Sequence, residues 1–193
     1  MQHSSTELQR SAEFTTFMRA YQDMVFSTAA RLVGHDRQAE DIAQEVFLRA
    51  YAHFDDLRGN PTAGGWLKTV TTNLTLNHLT RYRKRWRLFS ELRPATADQP
   101  SPEPDLEVSQ PDALFADLDA EQRRVLIDGA LRQLPGHQRL ALVLYHFEEL
   151  SYEQIATTLR VSLAKVKTDV RRARAALLPL LRAGGIAAGW RTE

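Results

Sequence analysis

From Ser162 onward, Val166, Val170, Ala173 and Leu177 fall on one helical stripe, and Lys165, Lys167, Thr168, Arg171, Arg172 and Arg174 fall off it. A helix divided this way has an apolar flank for a core and a cationic flank for an anion. Laid in a DNA major groove, Lys165, Thr168 and Arg171 reach base edges from its N-terminal part, while Arg172 and Arg174 meet phosphates. A solvated cationic face is the bland alternative, and charge alone does not choose between the two. The residues upstream favour DNA. Ser151 and Gln154 have the spacing of a capping box that starts a short helix burying Ile155 and Leu159. Arg160-Val161-Ser162 then makes a tight turn, and Ser162 caps the cationic helix. Two helices across such a turn, with small Ala156 at their crossing, form the helix-turn-helix pattern.

A second set lies earlier. Asn73, Asn77 and Arg81 follow at i, i+4 and i+8 and share a helix face. Their amides suit unpaired base edges, and Tyr82-Arg83-Lys84-Arg85-Trp86-Arg87 mixes cations with aromatics, as phosphates and stacked bases of an opened strand require. The alternative is local hydrogen bonding by the two asparagines, with Trp66 and Trp86 in the core; Trp66 is expected to be a core residue. A third set, Glu40, Asp41, Gln44, Glu45 and Arg49, forms the polar side of a helix whose apolar stripe is Ala39, Ala43, Val46, Phe47, Ala50 and Phe54. Its acids repel DNA, so the face is either solvated or docked on a basic protein surface. The residues alone leave both open.

The elements that position these sets are all helices, since no stretch alternates as a strand does. Phe14, Phe17, Met18, Tyr21, Val25 and Leu32 give a first helix from about Glu13 to Leu32, stopped by Gly34. Asp36 is expected to cap the second helix, DDLRGNPTAGG reads as a loop, and Trp66 to about Trp86 is a third helix. Five of the eight prolines fall in PATADQPSPEPDLEVSQPD. That acidic stretch has too little apolar surface to offset its ordering entropy and reads as an extended linker. Beyond it come helices over Leu126–Leu134 and Gln138–Phe147, then the helix-turn-helix. The expected organisation is a first domain over 13–90, a linker over 91–121, a second domain over 122–182 and a tail over 183–193 whose role the residues leave open.

Net charge is only +1 over 193 residues, so no bulk-charge case for nucleic acid exists. The charges are segregated instead. From Lys68 to Arg93 seven cations face one acid, Pro94 to Glu121 has acids and no cation, and Arg160 to Arg182 has Asp169 as its lone acid. The absence of cysteine excludes disulfides, thiolate metal sites and cysteine nucleophiles, and fits a reducing cytoplasm. No secretory signal and no apolar run near the ~18 residues of a bilayer span are present, so the expectation is a soluble, intracellular protein without membrane insertion. There is no phosphate-binding glycine loop. Neither His35, Asp36 and Glu40 nor His146, Glu148 and Glu149 have a recognised ligand spacing, so no metal, cofactor, small-molecule substrate or catalysis is expected.

These residues resemble a known family, the bacterial sigma-70 factors, in particular the small extracytoplasmic-function group that keeps only regions two and four. Ala39-Glu-Asp-Ile-Ala-Gln-Glu-Val-Phe-Leu-Arg-Ala-Tyr51 is similar to the region-two signature. Trp66-Leu67, Asn73 and the basic run look like the helix that reads and melts the minus-10 element. Leu134-Pro135, Arg139, Leu150-Ser-Tyr-Glu-Gln-Ile-Ala156, Val166-Lys167 and Arg172-Ala-Arg174 resemble region four, which binds the minus-35 element. The resemblance implies that Asp41, Gln44, Glu45 and Arg49 dock on the beta-prime clamp helices of RNA polymerase core. It also implies promoter DNA contact by Asn73, Asn77, Arg81, Arg83, Lys84 and Arg85 at minus-10, and an anti-sigma factor as a further partner.

The chain departs from the family pattern at Asn77, where an acid is usual, at Ala164-Lys165 in place of Gly-Thr, and at Ala63-Gly64-Gly65, which lacks an aromatic. Arg160 stands where the turn usually has glycine; a left-handed backbone there costs an L-residue on the order of 1 kcal/mol. Competing readings are a sigma mimic that sequesters an anti-sigma factor, which predicts lost basic character, and a stand-alone helix-turn-helix regulator, which leaves the acidic face without a purpose.

Overall fold

A computed structural model describes the backbone of residues 2–90 and 118–189 and the side chains of residues 7–80 and 118–184. Among the described residues there are eight α-helices and no strand, which makes the chain all-α. It divides into two units, Met1–Arg87 and Leu88–Glu193. The linker residues 91–117 and the terminal residues 190–193 lie outside the described set.

The first unit begins with α1, Gln2–Val33, longer at its N-terminal end than the apolar spacing predicts. The added turns have no apolar stripe to reveal them, and Arg10 ties the added part to α2 and α3. Its guanidinium donates to the Tyr51 carbonyl (3.2 Å) and to Asp55 (3.3 Å) and lies 4.8 Å above the Tyr51 ring. Gly34 at φ 76° ends α1, as expected. The next helix, α2, spans Asp36–Ala52, but Asp36 is not its cap: it sits in the first turn, where its charge suits the helix dipole, and His35 takes the cap position without a side-chain bond.

The expected loop after α2 contains a one-turn helix, α3 (Phe54–Leu57), and α4 starts at Ala63 and runs to Ser90. The intervening turn is braced. Asn60 Oδ1 accepts from the Thr62 N–H (2.9 Å) and hydroxyl (2.8 Å), and Gly59 supplies a left-handed residue at φ 71°. Gly64 permits close packing, since a Cβ there meets Tyr21 at 3.2 Å.

Val25, Ala29 and Val33 of α1, Ala39, Ile42, Val46 and Ala50 of α2, Leu57 of α3, and Ala63 and Leu67 of α4 form the core of this unit. Each large apolar side chain fully buried there contributes about 1.5–3 kcal/mol before the entropy cost of folding. Phe14, Tyr51 and Phe54 add edge-to-face ring contacts at 4.9 and 5.2 Å. The buried flank of α4 is unexpectedly polar, with Thr71, Thr72 and Thr75 inside. Thr71 and Thr75 donate their hydroxyls to the Leu67 and Thr71 carbonyls, both at 2.7 Å, so neither needs a partner on another helix.

In the second unit, α5 (Ala120–Gln133) opens with a capping box between Asp119 and Gln122, so that Asp119, Ala120 and Glu121 belong to the helix and its cap and not, as expected, to the linker. The following α6 (Gly136–His146) is central, with five consecutive residues from Leu140 to Leu144 buried. A helix apolar on every side needs neighbours all round. Those include α7 (Tyr152–Leu159) and α8 (Leu163–Gly189). The core is completed by Ala130, Leu131, Leu134, Ile155, Val166, Val170 and Ala173, while Leu159 and Leu177 are half-buried. The tail left unread from 183 continues α8 through Gly189, and Gly184 comes so close to Leu126 of α5 that a Cβ there would collide with it.

Candidate nucleic-acid and protein interfaces

The α2 helix presents Asp41, Gln44, Glu45 and Arg49 together on its exposed side. Arg49 donates to Glu45 across one turn at 3.0 Å, which neutralises part of the face and leaves Asp41 as its outlying charge. An exposed pair of this kind adds little stability, about 0–1 kcal/mol. Leu48 lies in the middle of the strip and is 69% exposed, with Tyr51 next to it at 41%. Sequence reasoning passed over Leu48, although its spacing from Asp41 and Gln44 by seven and four residues already sets it on the polar side of α2. The strip borders a groove of about 660 Å³ between α1 and α2, lined by Phe14, Met18, Phe26, Ala43, Phe47 and Leu48 with Asp23, Glu40 and Gln44 at the rim. An apolar patch set among acids has the make-up of a protein-docking surface.

On α4 the exposed positions Gly65, Thr69, Asn73 and Asn77 recur every four residues and form one polar strip. Thr69 belongs to it and went unnoticed; its hydroxyl donates to the Gly65 carbonyl at 3.0 Å. Arg81, Arg83, Lys84 and Arg85 follow on the same helix, with side chains outside the described set. Trp66 is half-buried against the core, as expected, with its ring 5.8 Å from that of His53.

The helix-turn-helix is built by three local devices. Ser151 and Gln154 form the expected capping box. At the end of α7 the Val161 N–H donates to Ala156 O (3.1 Å) and the Arg160 N–H to Thr157 O (3.3 Å), the paired bonds of a Schellman motif. That motif needs a left-handed residue, and Arg160 supplies it at φ 54°, ψ 49°. Ser162 Oγ then accepts from the Lys165 N–H at 3.2 Å and starts α8.

Of the six residues singled out on α8, Lys165 and Lys167 are exposed, whereas Thr168, Arg171, Arg172 and Arg174 are half-buried. Lys165 is paired with Asp169 at 2.9 Å. Arg174 is engaged within the unit. Its guanidinium lies 5.3 Å from the Tyr145 ring centre and its Nε donates to His146 Nε2 at 3.2 Å. Partial burial, reinforced by Arg174, holds the His146 pKa below its usual 6.5, in keeping with a neutral ring that accepts this bond. Tyr145 also stacks on Tyr152 at 4.6 Å, and burial raises the Tyr152 phenol. Arg139, buried beneath, donates to the Leu134 carbonyl at 3.4 Å, and burial lowers its pKa. Among the described residues no group of three or more His, Asp or Glu is gathered for a metal, and no helix is long and apolar enough to cross a membrane.

Two helical units, the first with an exposed acidic strip on α2 and a polar strip on α4 and the second with a helix-turn-helix, have the make-up of a DNA-binding protein of the transcription apparatus. Residues 17–87 match Sigma-70 region 2 and residues 124–177 match Sigma-70 region 4. The RNA polymerase sigma-H factor of Pseudomonas aeruginosa is 32% identical over 180 residues, covering 88% of each chain. The ECF RNA polymerase sigma factor SigE of Mycolicibacterium smegmatis is 37% identical, covering 81% of this chain and 57% of that one. The corresponding figures for SigW of Bacillus subtilis are 28%, 88% and 89%. The chain belongs to the extracytoplasmic-function group of the sigma-70 family and acts as a factor of transcription initiation.

Proposed function

We propose that this sigma factor docks on RNA polymerase core, on its beta-prime clamp helices, through Asp41, Gln44, Glu45 and Arg49, with Leu48 as the apolar centre of the contact. The supporting observation is the exposed acidic strip of α2 around a leucine that is itself 69% exposed. Acids there disfavour DNA, so a basic protein surface is the fitting partner. Asn73, Asn77, Arg81, Arg83, Lys84 and Arg85 then face the opened minus-10 strand, and the amino-terminal part of α8 enters the major groove of the minus-35 duplex. Lys165, Lys167, Thr168, Arg171 and Arg172 are its DNA-facing residues. Arg174 serves mainly to anchor α8 on Tyr145 and His146, a revision of the phosphate role expected from charge.

The working limits are 13–90 for polymerase and minus-10 contacts, 91–118 for the tether, which ends where Asp119 caps α5, and 119–182 for minus-35 contacts. The chain acts in the cytoplasm, catalyses no bond chemistry, uses no cofactor, and is held in check by an anti-sigma factor. The test is charge reversal: Asp41→Lys with Glu45→Lys, read by association with core polymerase and by run-off transcription. Both are expected to fall while the melting temperature is kept. Unchanged core association would overturn the docking assignment, and promoter-independent duplex binding with no initiation would favour a stand-alone regulator.

A further inference from the structure

Asp169 is the lone acid in the basic block from Arg160 to Arg182, and it is buried, 5% exposed. A carboxylate in the middle of a helix that meets DNA is costly in two ways: it loses water, and it repels phosphates. Its neighbours offset both. Asp169 Oδ1 accepts from Lys165 Nζ at 2.9 Å and stands 3.7 Å from Nε2 of His137, in the first turn of α6. Lys165 is therefore fixed at both ends, since its backbone N–H is held by Ser162 Oγ at 3.2 Å. It occupies the first turn of α8, the part of a recognition helix that meets base edges.

Tethering changes what the lysine offers. An ammonium has three N–H donors. With one given to Asp169, two remain, and the lysine stem no longer wanders over the surface. Guanine presents the N7 and O6 acceptors in the major groove that suit such a donor group. The charge of the pair sums to zero, so Lys165 contributes direction rather than net attraction to phosphate. Lys167, exposed and only loosely attracted by the Glu153 carboxylate, has the opposite character.

We infer that Asp169 is a specificity-determining positioning residue: by holding Lys165 it makes that side chain a fixed reader of guanine in the upstream promoter element, where an untethered lysine would be a mobile phosphate contact. This rests on α8 being the duplex-reading helix.

The test uses the full chain assembled with core polymerase and a duplex pool randomised across the upstream region, sequenced after selection. The wild type is expected to enrich guanine at one upstream position. Lys165→Gln and Asp169→Asn should each cut that enrichment about tenfold, and the double variant should lose no more than either alone. Asp169→Asn should also bind unselected duplex more tightly and steepen the slope of log affinity against log salt by about one, because the released ammonium joins the phosphates. A merely structural Asp169 would instead weaken binding to all sequences alike and lower the melting temperature, and that result overturns the inference. So does guanine enrichment that survives Lys165→Gln, a change at an exposed position that decides the matter even if Asp169→Asn unfolds. If the wild type enriches no base at any upstream position, the reading role of α8 itself fails, which is a separate result.

Discussion

Replacing Arg160 by glycine should make the second unit more stable. The residue sits at φ 54°, ψ 49°, where its Cβ crowds the neighbouring carbonyl, yet the turn depends on that conformation for the bonds from Arg160 to Thr157 and from Val161 to Ala156. Holding an L-residue there costs about 1–2 kcal/mol. Glycine removes this cost but gives the unfolded chain more freedom, which takes back about 0.4–1 kcal/mol. The net gain is roughly 0.5–1 kcal/mol, and for a unit of this size each 1 kcal/mol moves the melting temperature by about 4–8 °C, so a rise of roughly 2–8 °C follows. Calorimetry on the full chain measures it. Arg160→Ala is the control: it removes the charge and the long side chain but keeps the Cβ, so it should stay within about 0.5 kcal/mol of the wild type. If the glycine variant is no more stable than the alanine variant, the left-handed turn is not the source of the cost and the reasoning fails.

Other consequences can be checked in the same way. Lys167→Ala should weaken duplex binding evenly across sequences and lower the magnitude of the salt slope by about 0.9, as loss of one phosphate contact does; a change confined to one base position would contradict this. Because the folded-state pKa of His146 lies below 6.5, the unfolded chain binds the proton first on acidification. Its contribution to stability is therefore complete above pH 6.5, declines as pH falls towards the lowered folded value, and changes no further beneath it. His146→Gln should remove that part of the pH profile, and an unaltered profile would show that the histidine is not responsible. In the first unit, Thr75→Val is expected to cost about 0.5–1.5 kcal/mol, the net worth of one hydrogen bond made within its own helix, whereas Leu67→Ala should cost about 2–5 kcal/mol by denaturant titration.

What the sequence made legible was whatever leaves a periodic or local mark. The apolar stripes of α2 and α8, the Ser151 box, the cap at Ser162 and the stop at Gly34 all follow from a few neighbouring residues. The polar interior of α4 did not, because threonine reads as a surface residue until its hydroxyl is seen turned back on the preceding turn. The early start of α1 was hidden for a related reason: the tie the added part makes through Arg10, to Tyr51 and Asp55, reaches residues more than forty positions away. Charge counting alone also left out the surroundings of Arg174 and Lys165. It identified two cations but not the aromatic rings and the buried carboxylate that occupy them.

The threonines of α4 have one more implication. Because the Thr71 and Thr75 hydroxyls are satisfied inside the helix, neither asks for a polar partner in α1 or α2. The outward strip through Thr69, Asn73 and Asn77 can accordingly be rewritten residue by residue without unsettling a single buried hydrogen bond of Thr71 or Thr75. A scaffold of that kind lets the exposed residues of α4 change separately from its folding.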